Sequence, residues 1–250
     1  MIQSTFIFLP KISNKKEQNI WKQGINNWNQ FLKTDSIKGI SKKAKAFYDM
    51  KIREAKEELR AENSYYFQKL LPNTETWRLY EYFKDECYFL DIESYEHGKN
   101  ITIIGLYDGI ETKTMVKNIN LDMNILRKEL EKYKLLITFN GSSHDIPNIN
   151  KYYPKTIPKL AHIDLRHACK KIGLKGGLKM IEEEVGIKRP IHLKAYGENP
   201  IDLWRAFLAS GDKEYLDLLI QYNEEDIINL KPLMEYVYGK LKKVINSYLV

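Results

Sequence analysis

The sequence predicts an α/β fold, a mixed β-sheet flanked by helices, with a helical extension at its N-terminus. Three observations predict it: a polar, lysine-rich beginning, a group of short β-type runs after residue 85, and a largely helical remainder. At 250 residues the chain can bury one α/β core and carry an appendage of about 70 to 80 residues. We therefore predict a basic helical extension over residues 1–80 and an α/β domain over residues 81–250.

The predicted extension is rich in lysine, asparagine and helix-forming polar residues up to about residue 82. Its large apolar residues recur at helical spacings. They are Trp21, Trp28, Phe31, Phe47, Tyr48 and Leu59. The stretch SKKAKAFYDMKIREAKEELR ends with charges of both signs at helical spacings, as on a solvated helix. This segment is therefore predicted to be a small helical module.

The predicted sheet begins with three β-rich runs, CYFLDIES, ITIIGLYDG and ETKTMVKNI. Turn residues separate them at 97–98 and at Asp108-Gly109, and the Asp-Gly pair is a hairpin signal. A helix is predicted over 121–132, followed by a fourth strand over 134–139. Helices dominate from about residue 143 to near residue 248. Strands, a crossover helix and another buried strand together predict a mixed sheet.

Charge and cysteine content narrow the class of protein. The formal charge of +7 and the pI near 9.0 favour polyanionic partners without identifying one. The two cysteines, Cys87 and Cys169, stand in no zinc-binding or disulfide spacing, so we expect a reducing cytoplasmic location. The N-terminus has no leader pattern and no run of roughly 18 apolar residues occurs, so we expect a soluble protein without membrane association.

The sharpest local feature is FLDIES, in which Asp91 and Glu93 lie two residues apart at the end of an apolar run. Side chains two apart on a strand project from the same face. Two adjacent carboxylates repel each other unless a cation neutralises them or solvent screens them. The triplet therefore indicates either a hard-metal site or a solvated strand end.

Two further acidic segments follow. In ITFNGSSHDIPNI, an apolar strand breaks at Asn140-Gly141 and Asp145 falls at the start of a helix, where it is either a ligand or a helix-terminus partner. In QYNEEDIINL, Tyr222 and Asp226 lie four residues apart in a long helix and share one face.

The three segments FLDIES, TFNGSSHDIPNI and YNEEDIINL, in this order, resemble the three exonuclease motifs of the DEDD superfamily in its tyrosine-bearing subclass (DEDDy). That superfamily is built on the ribonuclease-H-like fold. Further similarity runs through HIDLRHACKK, GGLKMIEEEVGI and NPIDLWRAFLASGDKEYLDLLIQYNEED, resembling a less characterised ribonuclease-H-like exonuclease family of bacteria and archaea. The resemblance covers most of residues 85–240. One departure is His144, where many relatives have Phe, and it affects the substrate groove more than the metal site.

The resemblance implies a metal-dependent nuclease, a 3′-to-5′ exonuclease on single-stranded DNA or RNA that uses two Mg²⁺ or Mn²⁺ ions. It implies that Asp91 bridges both ions, that Glu93 and Asp226 serve the ion that activates water, and that Asp145 holds the other. Tyr222 would orient or help to deprotonate a water bound beside Asp226. Oxygen ligands suit Mg²⁺ and Mn²⁺, and the absence of a His/Cys ligand set argues against structural zinc.

Contacts with nucleic acid are expected at several positions. Asn140 and Gly141 would let a turn bring the backbone close to the substrate, and His144 either packs or contacts a phosphate. Lys175 and Lys179 either pair with phosphates or are solvated. His162 and Asp164 are interpreted as a core-edge histidine and a helix-start cap, outside the catalytic set.

The extension has two open roles. PKISNKKEQNIWKQGI and IKGISKKAKAFYDMKI each place a turn before a lysine-bearing helix, faintly like a helix-hairpin-helix, although the first copy largely lacks the glycine-rich hairpin. Nucleic-acid binding and a packing role both remain open for it. For the whole chain, the alternatives are a structure-specific endonuclease of the same fold and a nucleic-acid-binding protein that does not cut. No protein partner is indicated.

Overall fold

The computed structural model describes residues 1–95, 100–190 and 199–249. The turn predicted at residues 97–98 lies outside the described residues. Within them the sheet consists of β1 (Cys87–Tyr95), β2 (Asn100–Tyr107), β3 (Thr112–Val116), β4 (Leu135–Thr138) and β5 (Ala161–Asp164). The strands lie in the order β3-β2-β1-β4-β5. β1 is antiparallel to β2 and parallel to β4, so the predicted mixed sheet is confirmed.

Four strands match the predicted runs, and the Asp108-Gly109 hairpin joins β2 to β3 as predicted. There Asp108 Oδ1 accepts hydrogen bonds from the N–H groups of Ile110 and Glu111, each across 2.8 Å, and Gly109 has a φ of 98°. The sequence analysis missed β5. This strand has only four residues and passes directly into a helix, so it is too short for a period of two to stand out.

Helices precede and follow the strands. Before the sheet lie α1 (Asn14–Trp21), α2 (Trp28–Lys33), α3 (Lys42–Arg60), α4 (Ser64–Leu70) and α5 (Tyr80–Phe83). From β3 onward lie α6 (Met123–Leu130), α7 (Asp145–Tyr152), α8 (Leu165–Lys171), α9 (Leu178–Val185), α10 (Pro200–Ser210) and α11 (Lys213–Asn246). Short 3₁₀ segments occupy Ile2–Ser4, Asn73–Leu79 and Lys84–Glu86. Among the described helices, none combines the length and the apolar character that crossing a bilayer requires.

The central strand β1 contributes to a different hydrophobic core on each face. Leu90 and Ile92 pack in a cluster that includes residues of α6 and α7, whereas Phe89 packs in a cluster that includes residues of α11. Because side chains alternate along a strand, Asp91 and Glu93 project on the face of Phe89. The long helix α11 contacts β1 on this side, which brings its polar residues to the two carboxylates.

The N-terminal segment shares a hydrophobic core with the sheet. Apolar side chains from residues 1–80 form one continuous buried cluster with residues of β1, β4, β5 and α11. Helix α4 covers the edge strand β5: the N–H of Ala161 donates to Ser64 Oγ across 3.0 Å, and the N–H of His162 donates to Gln68 Oε1 across 2.8 Å. The edge strand thereby gains hydrogen-bond partners that a sheet edge otherwise lacks. Residues 1–80 thus provide packing for the α/β domain.

A buried ion network ties the same segment to the rest of the chain. Arg78 Nη1 lies 2.9 Å from Glu17 Oε2, and Arg78 Nε donates to Glu75 Oε2 across 2.8 Å. Glu75 also pairs with Lys171 of α8. Because removing one member would leave an uncompensated buried charge, the network makes residues 1–80 costly to detach.

Candidate metal centre

Three carboxylates meet where the end of β1 lies against α11. Asp91 and Glu93 come from alternate positions of β1, and Asp226 comes from the middle of α11. One oxygen of each lies within 4.8 Å of the others. Within the described residues, no Lys, Arg or His forms an ion pair with Asp91 or Glu93. The site therefore concentrates negative charge that the chain itself only partly neutralises.

The electrostatics of the three groups reflect this crowding. The pKa of Asp91 lies well above its ordinary value, first because the group is buried and then because Asp145 and Asp226 are close. Burial, followed by Asp226 and Asp145, raises the pKa of Glu93 to about 8. Burial also raises the pKa of Asp226 to about 6, against the opposing effect of Arg189. A divalent cation would relieve this repulsion, and an all-oxygen donor set suits Mg²⁺ or Mn²⁺.

Asp145 begins α7, as predicted, and is buried next to the three carboxylates without belonging to their group. β1 pairs with β4 only as far as Phe89, and beyond this point the N–H of Ile92 donates to Asp145 Oδ1 across 3.0 Å. Asp145 does not cap its own helix. Its Oδ1 is committed to β1, so Oδ2 is the oxygen that remains for a ligand.

His144 is half-exposed at the mouth of this region rather than packed in the core. Its side chain is 45% exposed, and its Nδ1 lies 3.7 Å from Asp145 Oδ2. The neighbouring Asp145 carboxylate raises the pKa of His144. This exposure makes the ring accessible to a phosphate, and both options for this residue stay predictions.

Tyr222 lies one helical turn before Asp226, with its ring between two cationic groups. Lys179 Nζ is 4.4 Å from the ring centroid, and the guanidinium carbon of Arg189 is 5.9 Å from it. Burial, followed by the charges of Asp226 and Glu93, raises the pKa of Tyr222 above its ordinary value. The hydroxyl is therefore protonated at neutral pH.

The loop between β4 and α7 is held by Asp164 at the end of β5. Asp164 Oδ1 accepts from the N–H of Asn140 across 2.8 Å, and Oδ2 accepts from the N–H and the hydroxyl of Ser142. Asp164 also caps α8, because Oδ1 accepts from the N–H of Arg166 across 3.0 Å. The predicted helix-start cap is confirmed, and the same carboxylate in addition fixes the loop that leads to Asp145.

Asn140 and Gly141 make contacts within the protein. Asn140 adopts a left-handed φ of 64° and its Oδ1 accepts from Arg166 Nη1 across 2.6 Å. Gly141 is buried, and a Cβ on it would lie 2.2 Å from Thr138 Oγ1. The close contact with Thr138 of β4 is therefore sufficient to require glycine at position 141, without any contact with a substrate. His162, the predicted core-edge histidine, lies on β5 and hydrogen-bonds the same Thr138 hydroxyl across 2.9 Å.

Of the two lysines predicted to contact phosphates, Lys175 and Lys179, only the second lies beside Tyr222. Lys175 is exposed in the loop before α9, whereas Lys179 lies in the first turn of α9 above Tyr222. Gly176 has a φ of 116° and Gly177 is the N-cap of α9, so the two glycines form a loop that leads into this helix. The structure therefore brings Lys179 to the carboxylate site.

The comparison with known families decides the class of the protein. The sequence model of the RNase_H_2 family, described as RNase_H superfamily, matches residues 88–238. The chain belongs to the ribonuclease H superfamily. The matched region contains Asp91, Glu93, Asp145 and Asp226.

A solved structure similar to this ribonuclease H superfamily protein is the family B DNA polymerase from the hyperthermophilic archaeon Pyrobaculum calidifontis. The two share 13% sequence identity and a TM-score of 0.47, over 60% of this chain and 24% of the polymerase chain. The present chain thus spans about a quarter of the length of that polymerase. No curated protein matches the sequence.

Three residues near the site of this superfamily member were missed by the sequence analysis. Asn223 Nδ2 donates to Asp91 Oδ2 across 3.0 Å, and Arg189 binds both Asp226 and the buried Glu182. A signal existed for Asn223, because it is a polar residue on the apolar side of a long helix. None existed for Arg189 and Glu182, because they precede Asp226 by 37 and 44 positions and only folding joins them.

Proposed function

We propose that this protein is a metal-dependent nuclease of the DEDDy type that hydrolyses DNA or RNA from the 3′ end. The observation that carries the proposal is the meeting of Asp91, Glu93 and Asp226 within 4.8 Å, with Asp145 buried beside them. Membership of the ribonuclease H superfamily supports nucleic acid as the substrate. The polymerase similarity is too low to add to this argument.

The residues fit a divalent-cation site. All donors are carboxylate oxygens, and Asp91 and Glu93 lack a cationic partner among the described residues. Asp91, Glu93 and Asp226 would hold an ion beside Tyr222, and Asp91 and Asp145 would hold a second one. Mg²⁺ or Mn²⁺ bound there would neutralise charge on the phosphodiester and lower the pKa of the attacking water. The protein contributes carboxylates that β1 and α11 hold close together before the ions bind.

Tyr222 and Lys179 are assigned to the substrate side of the site. Because Tyr222 keeps its proton, its hydroxyl can donate a hydrogen bond that orients the attacking water one helical turn from Asp226. Lys179 lies over the same ring and can pair with a phosphate oxygen once the substrate enters. His144, exposed beside Asp145, is assigned to a neighbouring phosphate.

The experiment that tests the proposal uses single-stranded DNA, duplex DNA and RNA labelled at either end, with Mg²⁺, Mn²⁺ or EDTA. We expect a ladder that shortens from the 3′ end in the presence of metal and no product in EDTA. Internal cuts would instead support a structure-specific endonuclease. Binding without any product in Mg²⁺ or Mn²⁺ would identify a protein that binds but does not cut, and would refute the proposal.

We further propose that the N-terminal segment binds the nucleic-acid backbone through α3. Residues 1–80 contain 15 Lys and Arg against 8 Asp and Glu, so they carry the entire excess charge of the chain. Three of the four acids of α3 pair with neighbouring basic groups: Asp49 with Lys45, Glu54 with Lys51, and Glu57 with Arg60. Other basic residues of the helix are exposed, and together with two apolar side chains they form one surface of α3, which consists of Lys42, Lys43, Phe47, Met50 and Arg53.

The surface of α3 suits single strands, because Phe47 and Met50 are 42% and 52% exposed between the cations and offer apolar contact to bases. Replacing Lys42, Lys43 and Arg53 by Glu should weaken binding and reduce the slope of log affinity against log salt by about 2. The matched control replaces Lys128, Lys170 and Lys213 by Glu, which makes the same change of net charge elsewhere. Equal effects of the two triple variants would exclude a specific role for α3.

A further inference from the structure

Arg189 connects a buried glutamate to a carboxylate of the candidate metal centre. It lies four residues after α9, and its Nε and Nη2 atoms contact Glu182 Oε2 and Oε1 across 2.5 and 2.8 Å. The same Nη2 lies 2.5 Å from Asp226 Oδ1. One guanidinium thus contacts two carboxylates. Two of its nitrogens contact Glu182, whereas only one contacts Asp226.

Burial decides which carboxylate anchors the arginine. The side chain of Glu182 is 1% exposed and that of Arg189 is 7% exposed, whereas that of Asp226 is 15% exposed. A fully buried carboxylate needs a cation, and Glu182 receives a two-pronged contact from planar guanidinium nitrogens. Asp226 is contacted only by Nη2, and this nitrogen also contacts Glu182. Arg189 is therefore anchored on Glu182, and its contact with Asp226 is the one that can change.

The same arginine also faces Tyr222. Its guanidinium carbon lies 5.9 Å from the tyrosine ring, on which Lys179 lies at 4.4 Å. Helix α9 supplies Lys179, which contacts Tyr222 directly, and Glu182, which is connected to Asp226 through Arg189. Arg189 is thus fixed on three sides, by Glu182, Tyr222 and Asp226.

We propose that Arg189, anchored by Glu182, is a positioning residue that holds Asp226 in the metal-free protein and competes with the divalent cation for this carboxylate. The inference rests on the proposed function, in which Asp226 is a metal ligand. A cation bound by Asp226 lies close to the guanidinium, and two positive charges at short range repel each other. Arg189 therefore lowers the affinity of the site for its ion and keeps Asp226 in place until the ion arrives.

Two variants at these positions are expected to shift the affinity for Mn²⁺ in opposite directions. In Glu182→Gln the arginine loses its anchor charge and commits fully to Asp226, so Mn²⁺ should bind about tenfold more weakly. In the double variant Glu182→Gln, Arg189→Gln a neutral pair replaces the ion pair, the competing charge is absent, and Mn²⁺ should bind about tenfold more tightly. If Glu182 and Arg189 only stabilised the fold, the two variants would not change the affinity for Mn²⁺ in opposite directions.

The test is calorimetric titration of the full-length wild type, both variants and Asp226→Asn with Mn²⁺, with thermal unfolding in EDTA to verify that each variant is folded. Opposite shifts support the inference. If both variants bind Mn²⁺ more weakly than the wild type, or if the double variant binds it with unchanged affinity, the inference about Arg189 is overturned. Either result still leaves the proposed metal site in place. Absence of Mn²⁺ binding by the wild type overturns the proposed function together with this inference. Unchanged Mn²⁺ binding by Asp226→Asn also overturns both, because it removes Asp226 as a ligand.

A second measurement covers the case of a variant that does not fold. Nitrogen NMR of the wild-type arginine side chains, with Arg189 assigned from Arg189→Lys, is followed during titration with Mg²⁺. We expect the Nη resonances of Arg189 to shift with the occupancy of the site, while the Nε resonance, which reports the contact with Glu182, changes less. Identical Arg189 spectra with and without bound Mg²⁺ would overturn the inference.

Discussion

Asn223 donates a hydrogen bond from Nδ2 to Oδ2 of Asp91 across 3.0 Å, so the helix that carries Tyr222 and Asp226 also fixes the first carboxylate of the site. Asn223 is completely buried. The space for its side chain lies over Gly105, the residue that pairs with Asp91 across β1 and β2. A glycine in the neighbouring strand thus allows an asparagine of α11 to reach the metal-binding position.

The first prediction concerns this close approach. A Cβ at position 105 would lie 1.9 Å from Asn223 Oδ1, so Gly105→Ala must displace the asparagine. We expect a loss of stability of about 1 to 3 kcal/mol, as for overpacked cores, and weaker Mn²⁺ binding because Asp91 loses its hydrogen bond. Chemical denaturation and calorimetry measure the two effects. In the control Gly239→Ala the new methyl group meets nothing within 4 Å in α11, and stability should rise slightly. Unchanged Mn²⁺ affinity in Gly105→Ala would show that the hydrogen bond from Asn223 to Asp91 does not contribute to metal binding.

The second prediction concerns Tyr222. Removing its hydroxyl in Tyr222→Phe should slow cleavage by about 10²- to 10⁴-fold if the hydroxyl orients the attacking water. Mn²⁺ affinity should stay the same, because the hydroxyl is not assigned as a ligand. Single-turnover cleavage and calorimetry provide both values. Tyr236→Phe, at a 39% exposed position of the same helix, should cleave at the wild-type rate. A Tyr222→Phe protein of full activity would remove the tyrosine from the mechanism.

The third prediction concerns Asp164, which caps α8 and holds the loop before Asp145. Asp164→Ala should cost more stability than Asp122→Ala, which removes only the cap of α6 at a typical cost of about 1 kcal/mol. Mn²⁺ binding should weaken only in Asp164→Ala, because only that loop leads to the site. If the two variants lose the same stability and bind Mn²⁺ equally well, Asp164 acts only as a helix cap.

The fourth prediction concerns pH and His162. Burial lowers the pKa of His162 from 6.5 to about 4, against the opposing effect of Asp164. Between these values the unfolded chain binds a proton that the folded protein does not, so stability falls as pH decreases from 6.5 to 4. The contribution is up to about 1.4 kcal/mol per pH unit.

The variant that tests this contribution is His162→Gln, which can still hydrogen-bond Thr138 and has no titrating ring. Its unfolding free energy should fall less steeply below pH 6.5 than that of the wild type. Denaturant titrations at pH 7, 6, 5 and 4.5 in EDTA measure the difference. Parallel profiles would show that His162 takes up its proton equally in the folded and unfolded protein.

The sequence predicted the mixed sheet and four of its strands, because these depend on local pattern, whereas the meeting of Asp91 and Glu93 with Asp226 was implied only by the family resemblance. Asp91 and Glu93 share a face since side chains alternate along a strand, and Tyr222 and Asp226 share a face since they are four apart on a helix. The side-chain direction of these residues follows from neighbours in the chain. Whether the site binds metal and cleaves nucleic acid stays a prediction.

Contacts between distant segments could not be predicted in the same way. Arg189 meets Asp226 only because the chain after α9 returns to α11, and Asn223 reaches Asp91 only because position 105 lacks a side chain. The role of residues 1–80 was likewise open, since lysine-rich amphipathic helices suit either packing or binding. The shared core and the contacts of Ser64 and Gln68 with β5 establish packing, and the exposed surface of α3 keeps binding as a proposal.

The most direct test of the central claim compares three purified proteins on 5′-labelled single-stranded DNA and RNA in Mn²⁺: the wild type, Asp226→Asn, and Asp217→Asn at an exposed position of the same helix. We expect a ladder that shortens from the 3′ end for the wild type and Asp217→Asn, and intact substrate for a folded Asp226→Asn. Cleavage by Asp226→Asn at the wild-type rate would refute the role of Asp226 as a metal ligand.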